Sequence, residues 1–204
     1  MNLYKNFHAW ALARFNEKYE GFIGERKRRL FDNLTGTIVE IGPGTGPNLK
    51  YLDKKITWIG IEPNEYSNPY IEKEAARLGM ANIRIMKLSA SDLPLADNTV
   101  DAVISTLVLC SVPDQQVALG EIYRVLKPGG KFIFIEHVAA SRGTIMRRFQ
   151  QFIKPIWKIV ADGCHPDRET LAAIKAANFS DVEGECFKVY NTFVSPHVAG
   201  VARK

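Results

Sequence analysis

The sequence predicts an α/β fold: a Rossmann-like, doubly wound, seven-stranded and mostly parallel sheet that closes with an antiparallel C-terminal hairpin. Three observations carry this reading. From residue 37 onward, apolar runs of strand length alternate with helical patterns, as they do where βα units wind around a parallel sheet. Runs such as Val100-Asp101-Ala102-Val103-Ile104 and Lys131-Phe132-Ile133-Phe134-Ile135 are apolar almost throughout, as strands covered on both faces must be. The final two strands are joined only by residues Asn191 to Ser195, a link too short for a helical crossover and suited to a hairpin.

Element by element, strands are expected at 37–41, 56–61, 83–87, 100–105, 131–137, 182–190 and 196–203. Helices are expected at 45–52, 68–78, 114–126, 144–159 and 167–177. Asp114 or Ser111 caps the third of these helices, and Lys127-Pro128-Gly129-Gly130 ends it, glycine supplying the positive φ and proline blocking continuation. Ahead of the sheet, residues 3–34 read as helix, with Phe7, Trp10, Ala11, Phe15, Tyr19 and Phe22 at helical spacing. Gly21 and Gly24 are expected to divide it into two segments. The domain assignment is a helical lid segment over 1–34 followed by one catalytic-type domain over 35–204.

Composition narrows the class. A chain of 204 residues with 46% hydrophobic and 24% charged residues is long enough for a proper core and balanced like a soluble globular protein. No stretch approaches the roughly 20 apolar residues that span a bilayer, and no signal peptide is visible. Cys110, Cys164 and Cys186 are odd in number and scattered; they form neither a disulfide framework nor a spaced metal site, so a reducing, cytoplasmic setting is expected and a metal is not. Net charge is +5. The basic clusters Arg26-Lys27-Arg28-Arg29 and Arg147-Arg148 read as solvated helix faces. Neither is interleaved with aromatic platforms, so no nucleic-acid partner is expected. Aromatics beside a basic run in the first helix also suit a peripheral membrane contact. A monomer is expected.

The chemistry starts at Ile38-Val39-Glu40-Ile41-Gly42-Pro43-Gly44-Thr45-Gly46, a buried strand that runs into a glycine-rich turn. Absent side chains let the backbone approach a ligand, and a following helix would aim free N–H groups at it. A second strand, Ile56-Thr57-Trp58-Ile59-Gly60-Ile61, ends in Glu62, where a ribose-binding acid belongs. The spacing G-x-G-x-G, rather than G-x-G-x-x-G, disfavours a dinucleotide and favours a nucleoside without a pyrophosphate, S-adenosyl-L-methionine above all.

Taken with Glu62-Pro63-Asn64, Asp92-Leu93-Pro94-Leu95, Asp97-Asn98-Thr99-Val100-Asp101 and Arg124-Val125-Leu126-Lys127-Pro128-Gly129-Gly130, the chain resembles class I S-adenosylmethionine-dependent methyltransferases over residues 37 to 137. A closer resemblance rests on Thr106-Leu107-Val108-Leu109-Cys110-Ser111-Val112, Glu136-His137-Val138, Trp157 through Asp162-Gly163-Cys164 to Arg168-Glu169-Thr170, and Pro196-His197. These residues look like the small alkyl-thiol S-methyltransferases of the methyltransferase-like seven group. Members of that group carry an N-terminal hydrophobic anchor, and no such stretch heads this sequence.

The resemblance implies a cofactor site built from Glu40, Gly42, Pro43, Gly44, Thr45, Gly46, Asn48, Glu62, Pro63, Asn64, Ser89, Ala90, Thr106 and Leu107. Glu40 would reach toward the cofactor's ammonium group, Glu62 would accept both ribose hydroxyls, and Thr106 and Leu107 would line the methionine end. Ser89 stands where an acid often holds the adenine, which leaves its hydroxyl, backbone groups and Asp92 as alternatives. His137, then His165 and Asp162, are the candidate catalytic residues on the acceptor side. Cys110 reads as core, while Cys164 sits among polar residues near the acceptor side. Of Phe149, Phe152, Ile153, Ile156 and Trp157, most read as core and the rest as walls of an apolar acceptor pocket.

The function implied is methyl transfer to a small, fairly apolar acceptor, an alkyl thiol first, with S-adenosyl-L-homocysteine as product. Alternatives are a hydroxyl, amine, quinone or lipid-like acceptor. An alternative of another class is an S-adenosylmethionine-binding protein without turnover.

Overall fold

The computed structural model describes residues 2–190 and 192–204, apart from the side chains of residues 15–18; what was expected of Phe15 and of Asn191 lies outside the described residues. Along the chain run α1 (Leu3–Phe31), β1 (Thr37–Ile41), a 3₁₀ turn (Leu49–Tyr51), β2 (Thr57–Ile61), a second 3₁₀ turn (Glu65–Ser67), α2 (Asn68–Leu78), β3 (Ile83–Met86) and β4 (Val100–Thr106). They are followed by α3 (Gln115–Val125), β5 (Leu126–His137), α4 (Ile145–Val160), α5 (Thr170–Ala176), β6 (Asp181–Lys188) and β7 (Pro196–Arg203).

The strands form one seven-stranded sheet of order β3-β2-β1-β4-β5-β7-β6. Pairing is parallel from β3 through β5, and β7 joins antiparallel to both β5 and β6. The strand order reverses between β1 and β4, which opens a crevice at their C-terminal ends. Both faces are covered, because successive residues of a strand point to opposite sides. Val39 and Ile41 of β1, with Val103, Phe132 and Phe134, pack with Leu119, Ile122 and Val125 of α3 and Ile174 of α5. Ile38, Trp58, Ile104 and Ile133 face the other way, onto Ile71 and Ala75 of α2 and Phe31 of α1. The outer strand β6 is mostly exposed. Its Glu185 pairs with Arg26 and Arg29 of α1, so charge guards an edge that would otherwise invite another strand.

Three expectations are corrected. The helix at 45–52 is absent; a single 3₁₀ turn stands in its place, so no α-helix follows the glycine turn directly. The first helix is not divided at Gly21 and Gly24 but runs unbroken for 29 residues, because packing outweighs a penalty of about 1 kcal/mol per interior glycine. Strand β5 starts at Leu126 rather than 131, with Gly129 at φ 77° inside the strand's irregular start. The N-cap of α3 is Asp114, whose carboxylate accepts from the N–H groups of Gln116 and Val117. Replacing it with alanine should lower stability by about 1 kcal/mol, read as a shifted denaturant midpoint with an unchanged slope.

Candidate functional site

The crevice at the strand ends is a cavity of about 560 Å³. Glu40, Gly42, Pro43, Gly44, Thr45, Asn48, Glu62, Pro63, Asn64, Ser89, Ala90, Thr106 and Leu107 all border it, as does His137. Gly46 does not: its missing side chain makes room for Leu49 and Ile71, a packing role. Asp92 is also off the wall, which leaves Ser89 and Ala90 at that corner.

Buried polar groups organise the loop after β1. One Glu40 oxygen accepts from Asn48 Nδ2 at 2.8 Å and the other from Trp58 Nε1 at 3.0 Å. Asn48 Nδ2 also donates to Thr106 Oγ1 at 3.0 Å, which ties the loop to the end of β4. Burial raises the Glu40 carboxyl from 4.5 to about 7. Glu62 accepts from the Gly44 N–H at 2.9 Å and from the Asn64 N–H at 2.8 Å, one bond per oxygen. Burial raises its carboxyl as well, against the pull of those two N–H groups. Gly42 and Gly44 both have φ of 56°. A Cβ on Gly42 would strike Val108, whereas one on Gly44 would meet only Leu12 of α1, at 3.6 Å.

At the other end of the cavity, His137 Nε2 lies 2.8 Å from Cys164 Sγ, and Trp157 Nε1 donates to the same sulfur at 3.2 Å. Neighbouring Cys110, with the hydrogen bonds from His137 and Trp157, lowers the Cys164 thiol, and the same proximity with burial raises that of Cys110. Behind them, buried Glu136 accepts from Ser105 Oγ at 2.6 Å and from the N–H groups of Val108 and Leu109 at 3.1 and 3.2 Å. Arg168 clamps the same loop through the carbonyls of Leu109, Val112 and Pro113. Leu107, Asp162 and Tyr190 hold positive φ without being glycine, and all three border the cavity. Backbone strain of this kind gathers at ligand sites.

His137 and Asp162 therefore stand at the cavity, and His165 does not. His165 instead donates its backbone N–H to the Cys110 carbonyl, and burial with nearby Arg168 lowers its imidazole to about 4. Cys110, His137 and Cys164 are far apart in the chain, yet their ligand atoms lie within 4.8 Å of one another. No sequence spacing marks such a cluster, because three separate segments supply it. Cys110, read as core, borders the cavity.

Helix α1 roofs the cavity with His8, Leu12, Tyr19, Glu20 and Lys27. Lys27 was read as part of a solvated run, yet it is only 1% exposed. It turns inward to pair with Glu20, which also accepts from Tyr51 Oη at 2.9 Å. Helix α4 is the reverse case. Phe149, Phe152 and Ile156 were read largely as core, yet all are exposed, with Phe152 at 79%. The helix buries Gln150 instead, which binds the Ala140 N–H and the Phe193 carbonyl.

Among the described residues, Tyr19 Oη, Asn48 Oδ1 and His137 Nδ1 are buried polar atoms without hydrogen-bond partners, and each belongs to a residue on the cavity wall. Buried polar atoms are otherwise nearly always paired, so these three fit a polar ligand. The sheet order, the glycine turn after β1 and the carboxylate after β2 define the class, an S-adenosylmethionine-dependent methyltransferase. The model of the methyltransferase domain matches residues 39–134. Thiol S-methyltransferase TMT1A of Homo sapiens is 34% identical over 212 residues, covering 98% of this chain and 87% of that protein. TMT1B of Mus musculus, also a thiol S-methyltransferase by name, is 35% identical over 97% of this chain and 84% of its own. The chain belongs to the methyltransferase family that these proteins represent.

Solved structures agree on the fold. A putative methyltransferase from Bacillus halodurans superposes with a TM-score of 0.73 at 13% identity, over 88% of this chain and 97% of that one. A geranyl diphosphate methyltransferase in complex with GPP and sinefungin gives 0.72 at 15% identity, over 90% and 77%.

The raised Glu40 carboxyl has a measurable consequence. A folded-state value above the unfolded one contributes stability that is complete below pH 4.5 and lost as pH rises through about 7. Glu40→Gln removes this dependence and adds a constant offset from its lost acceptor. Denaturant melts should show the stability of the variant, relative to the parent, rising between pH 4.5 and 7 and staying level above.

Proposed function

We propose that this protein transfers a methyl group from S-adenosyl-L-methionine to the sulfur of a small, fairly apolar thiol, releasing S-adenosyl-L-homocysteine. The observation that carries the reading is the two-ended cavity: carboxylates and turn N–H groups at one end, sulfur, imidazole and aromatic groups at the other. The thiol S-methyltransferase names of relatives that match nearly the whole chain support it. When bound, the cofactor supplies a methyl group on a positively charged sulfur, whose departure leaves a neutral thioether.

The chain's own groups then bind, orient and exclude water. Glu62 keeps lone pairs for two ribose hydroxyls, beyond the N–H bonds it already accepts. Asn48 Oδ1, unpartnered and buried, suits an ammonium donor, and Glu40 holds that amide in place more than it touches the ligand. Gly42, Pro43, Gly44 and Thr45 pass beneath the cofactor, and Pro63 and Asn64 close its ribose side. Ser89 and Ala90 meet the adenine, and Thr106 with Leu107 meets the methionine end. His137 and Asp162 take the acceptor side. Val108, Val112, Trp157 and Val194 give that side its apolar wall. The segment 1–34 acts as the lid of the domain formed by 35–204, since α1 covers the cavity. Aligning the thiolate with the methyl carbon and keeping water out supplies most of what the reaction needs.

We also propose that α1 and α4 rest on a lipid surface. Leu3, Phe7 and Trp10 of α1 and Ile145, Phe152, Ile156 and Ile159 of α4 are exposed. The two helices meet where Tyr4 Oη donates to the Ile159 carbonyl at 2.8 Å. Exposed Arg148 and Lys158 lie on α4, the combination that holds an amphipathic helix to an anionic interface. Among the described residues, no helix is long and apolar enough to cross a membrane.

Three measurements test these readings. Incubation with S-adenosylmethionine and a panel of alkyl thiols, phenols and amines should yield S-adenosylhomocysteine with thiols, read by mass spectrometry; turnover confined to phenols or amines refutes the thiol acceptor. Glu62→Ala should weaken cofactor binding by about 1–3 kcal/mol in calorimetry, and an unchanged affinity removes Glu62 from the site. Co-sedimentation with phosphatidylserine-containing vesicles should fall for the double variant Phe152→Asp, Ile156→Asp while its melting temperature holds; equal sedimentation of both proteins rejects the lipid contact.

A further inference from the structure

We propose that Cys110, His137 and Cys164 form a binding site for a single thiophilic divalent metal ion, of the zinc type, at the acceptor end of the cavity. The deepest part of the proposal rests on the thiol reading above: the ion's remaining coordination position takes the acceptor sulfur.

The donor set is the first argument. Two thiols and one imidazole are the ligands that soft and borderline divalent ions select. The same set in catalytic zinc sites supplies three protein ligands and leaves a fourth position for a small molecule. Geometry is the second. The three ligand atoms lie within 4.8 Å of one another, and metal–sulfur and metal–nitrogen bonds of about 2.3 and 2.0 Å place tetrahedral ligands about 3.5–3.8 Å apart. His137 Nε2 and Cys164 Sγ, at 2.8 Å, need only a small outward turn to admit the ion.

Placement is the third. All three side chains are buried, and all three border the cavity, so an ion among them would face the acceptor space. Each is anchored in the fold. His137 ends β5; Cys110 follows the turn that Glu136 and Arg168 clamp; and the Cys164 N–H is held by the Ala161 carbonyl. Surrounding groups suit a bound thiolate as well. Trp157 Nε1–H points at Cys164 Sγ from 3.2 Å, and Ser111 Oγ lies 3.6 Å from Cys110 Sγ; contacts of this kind orient ligands around metals.

The second ring nitrogen of His137 is compatible with ligation. His137 is 5% exposed and its Nδ1 has no partner among the described residues. Ligation takes one ring nitrogen, and the other becomes a donor to water or to an entering acceptor. The chemical consequence balances simply. Each cysteine S–H gives its proton to solvent as its sulfur–metal bond forms. An acceptor thiol entering the fourth position loses its S–H proton in the same way and is held as thiolate, the reactive form, aimed along the cavity. His137 is then a ligand rather than a base.

The test uses the full chain, stripped with a chelator under reducing conditions and titrated with Co²⁺ alone. The expected result is one bound equivalent, with near-ultraviolet thiolate-to-metal charge-transfer absorption and the visible bands of a tetrahedral ion. Cys164→Ser and Cys110→Ser should each remove that absorption, while Cys186→Ser, on exposed β6, should retain it. Circular dichroism checks each variant for folding. Should Cys110→Ser fail to fold, His137→Gln with Cys164→Ser serves in its place. No charge-transfer band in the parent protein, or a band that persists in the Cys164 variant, overturns the site. Addition of an alkyl thiol without cofactor should then shift the visible bands; unchanged bands at saturating thiol overturn the fourth-position assignment. These readouts need no methyl transfer, so they stand or fall apart from the turnover panel. A protein that turns over thiols but binds no Co²⁺ refutes this inference and leaves the proposed function intact.

Discussion

Three parallel strands end at or beside a buried glutamate, and the cavity depends on them. Glu40 in β1, Glu62 just after β2 and Glu136 near the end of β5 are almost inaccessible to solvent, and burial raises the carboxyl of each. A carboxylate in such a place is tolerated only where donors surround it. The donors come from the loops and the neighbouring strands: Asn48 and Trp58 for Glu40, the N–H groups of Gly44 and Asn64 for Glu62, and Ser105 with Val108 and Leu109 for Glu136. Each acid thus pins the turn that leaves its own or a neighbouring strand. The glycine turn needs no following helix to hold its shape, which is how a 3₁₀ turn suffices where a helix was expected.

The same logic explains the roof. A long helix over a cavity must bury part of its polar face, and α1 does so with Glu20 and Lys27 paired inside and Tyr51 reaching in from the sheet side. Desolvation lowers the Lys27 ammonium, and Glu20 opposes that. Breaking such a pair leaves one buried charge uncompensated, and the bond from Tyr51 to Glu20 ties the helix to the domain beneath it by more than apolar contact. Its far end is fastened to β6 through Arg26, Arg29 and Glu185; its near end reaches the second 3₁₀ turn, where Asn64 Nδ2 donates to the Lys5 carbonyl.

Helix α4 shows that amphipathicity has no direction of its own. Its pattern of Phe149, Phe152, Ile153, Ile156 and Trp157 is that of a helix with one apolar face, and a globular fold normally turns that face inward. Here Trp157 turns toward the cavity and Cys164, Gln150 is satisfied by backbone partners, and much of the apolar face points outward. An exposed apolar surface beside basic residues is the face that the proposed lipid contact would cover.

What the sequence determined by itself was carried by local pattern. Near-continuous apolar runs placed the strands. The short link before Pro196 required the hairpin, and the glycine turn with Glu62 eighteen residues beyond Gly44 marked the proposed cofactor end, because backbone conformation and strand ends are local properties. Tertiary structure alone decided the rest. His137, Cys110 and Cys164 meet only because β5, the turn after β4 and the loop after α4 converge. Lys27 enters and Phe152 leaves the interior because burial belongs to the neighbours a side chain is given. A sequence specifies periodicity along one chain; which faces are covered, and which distant sulfur and nitrogen atoms share a pocket, follows from how the layers close.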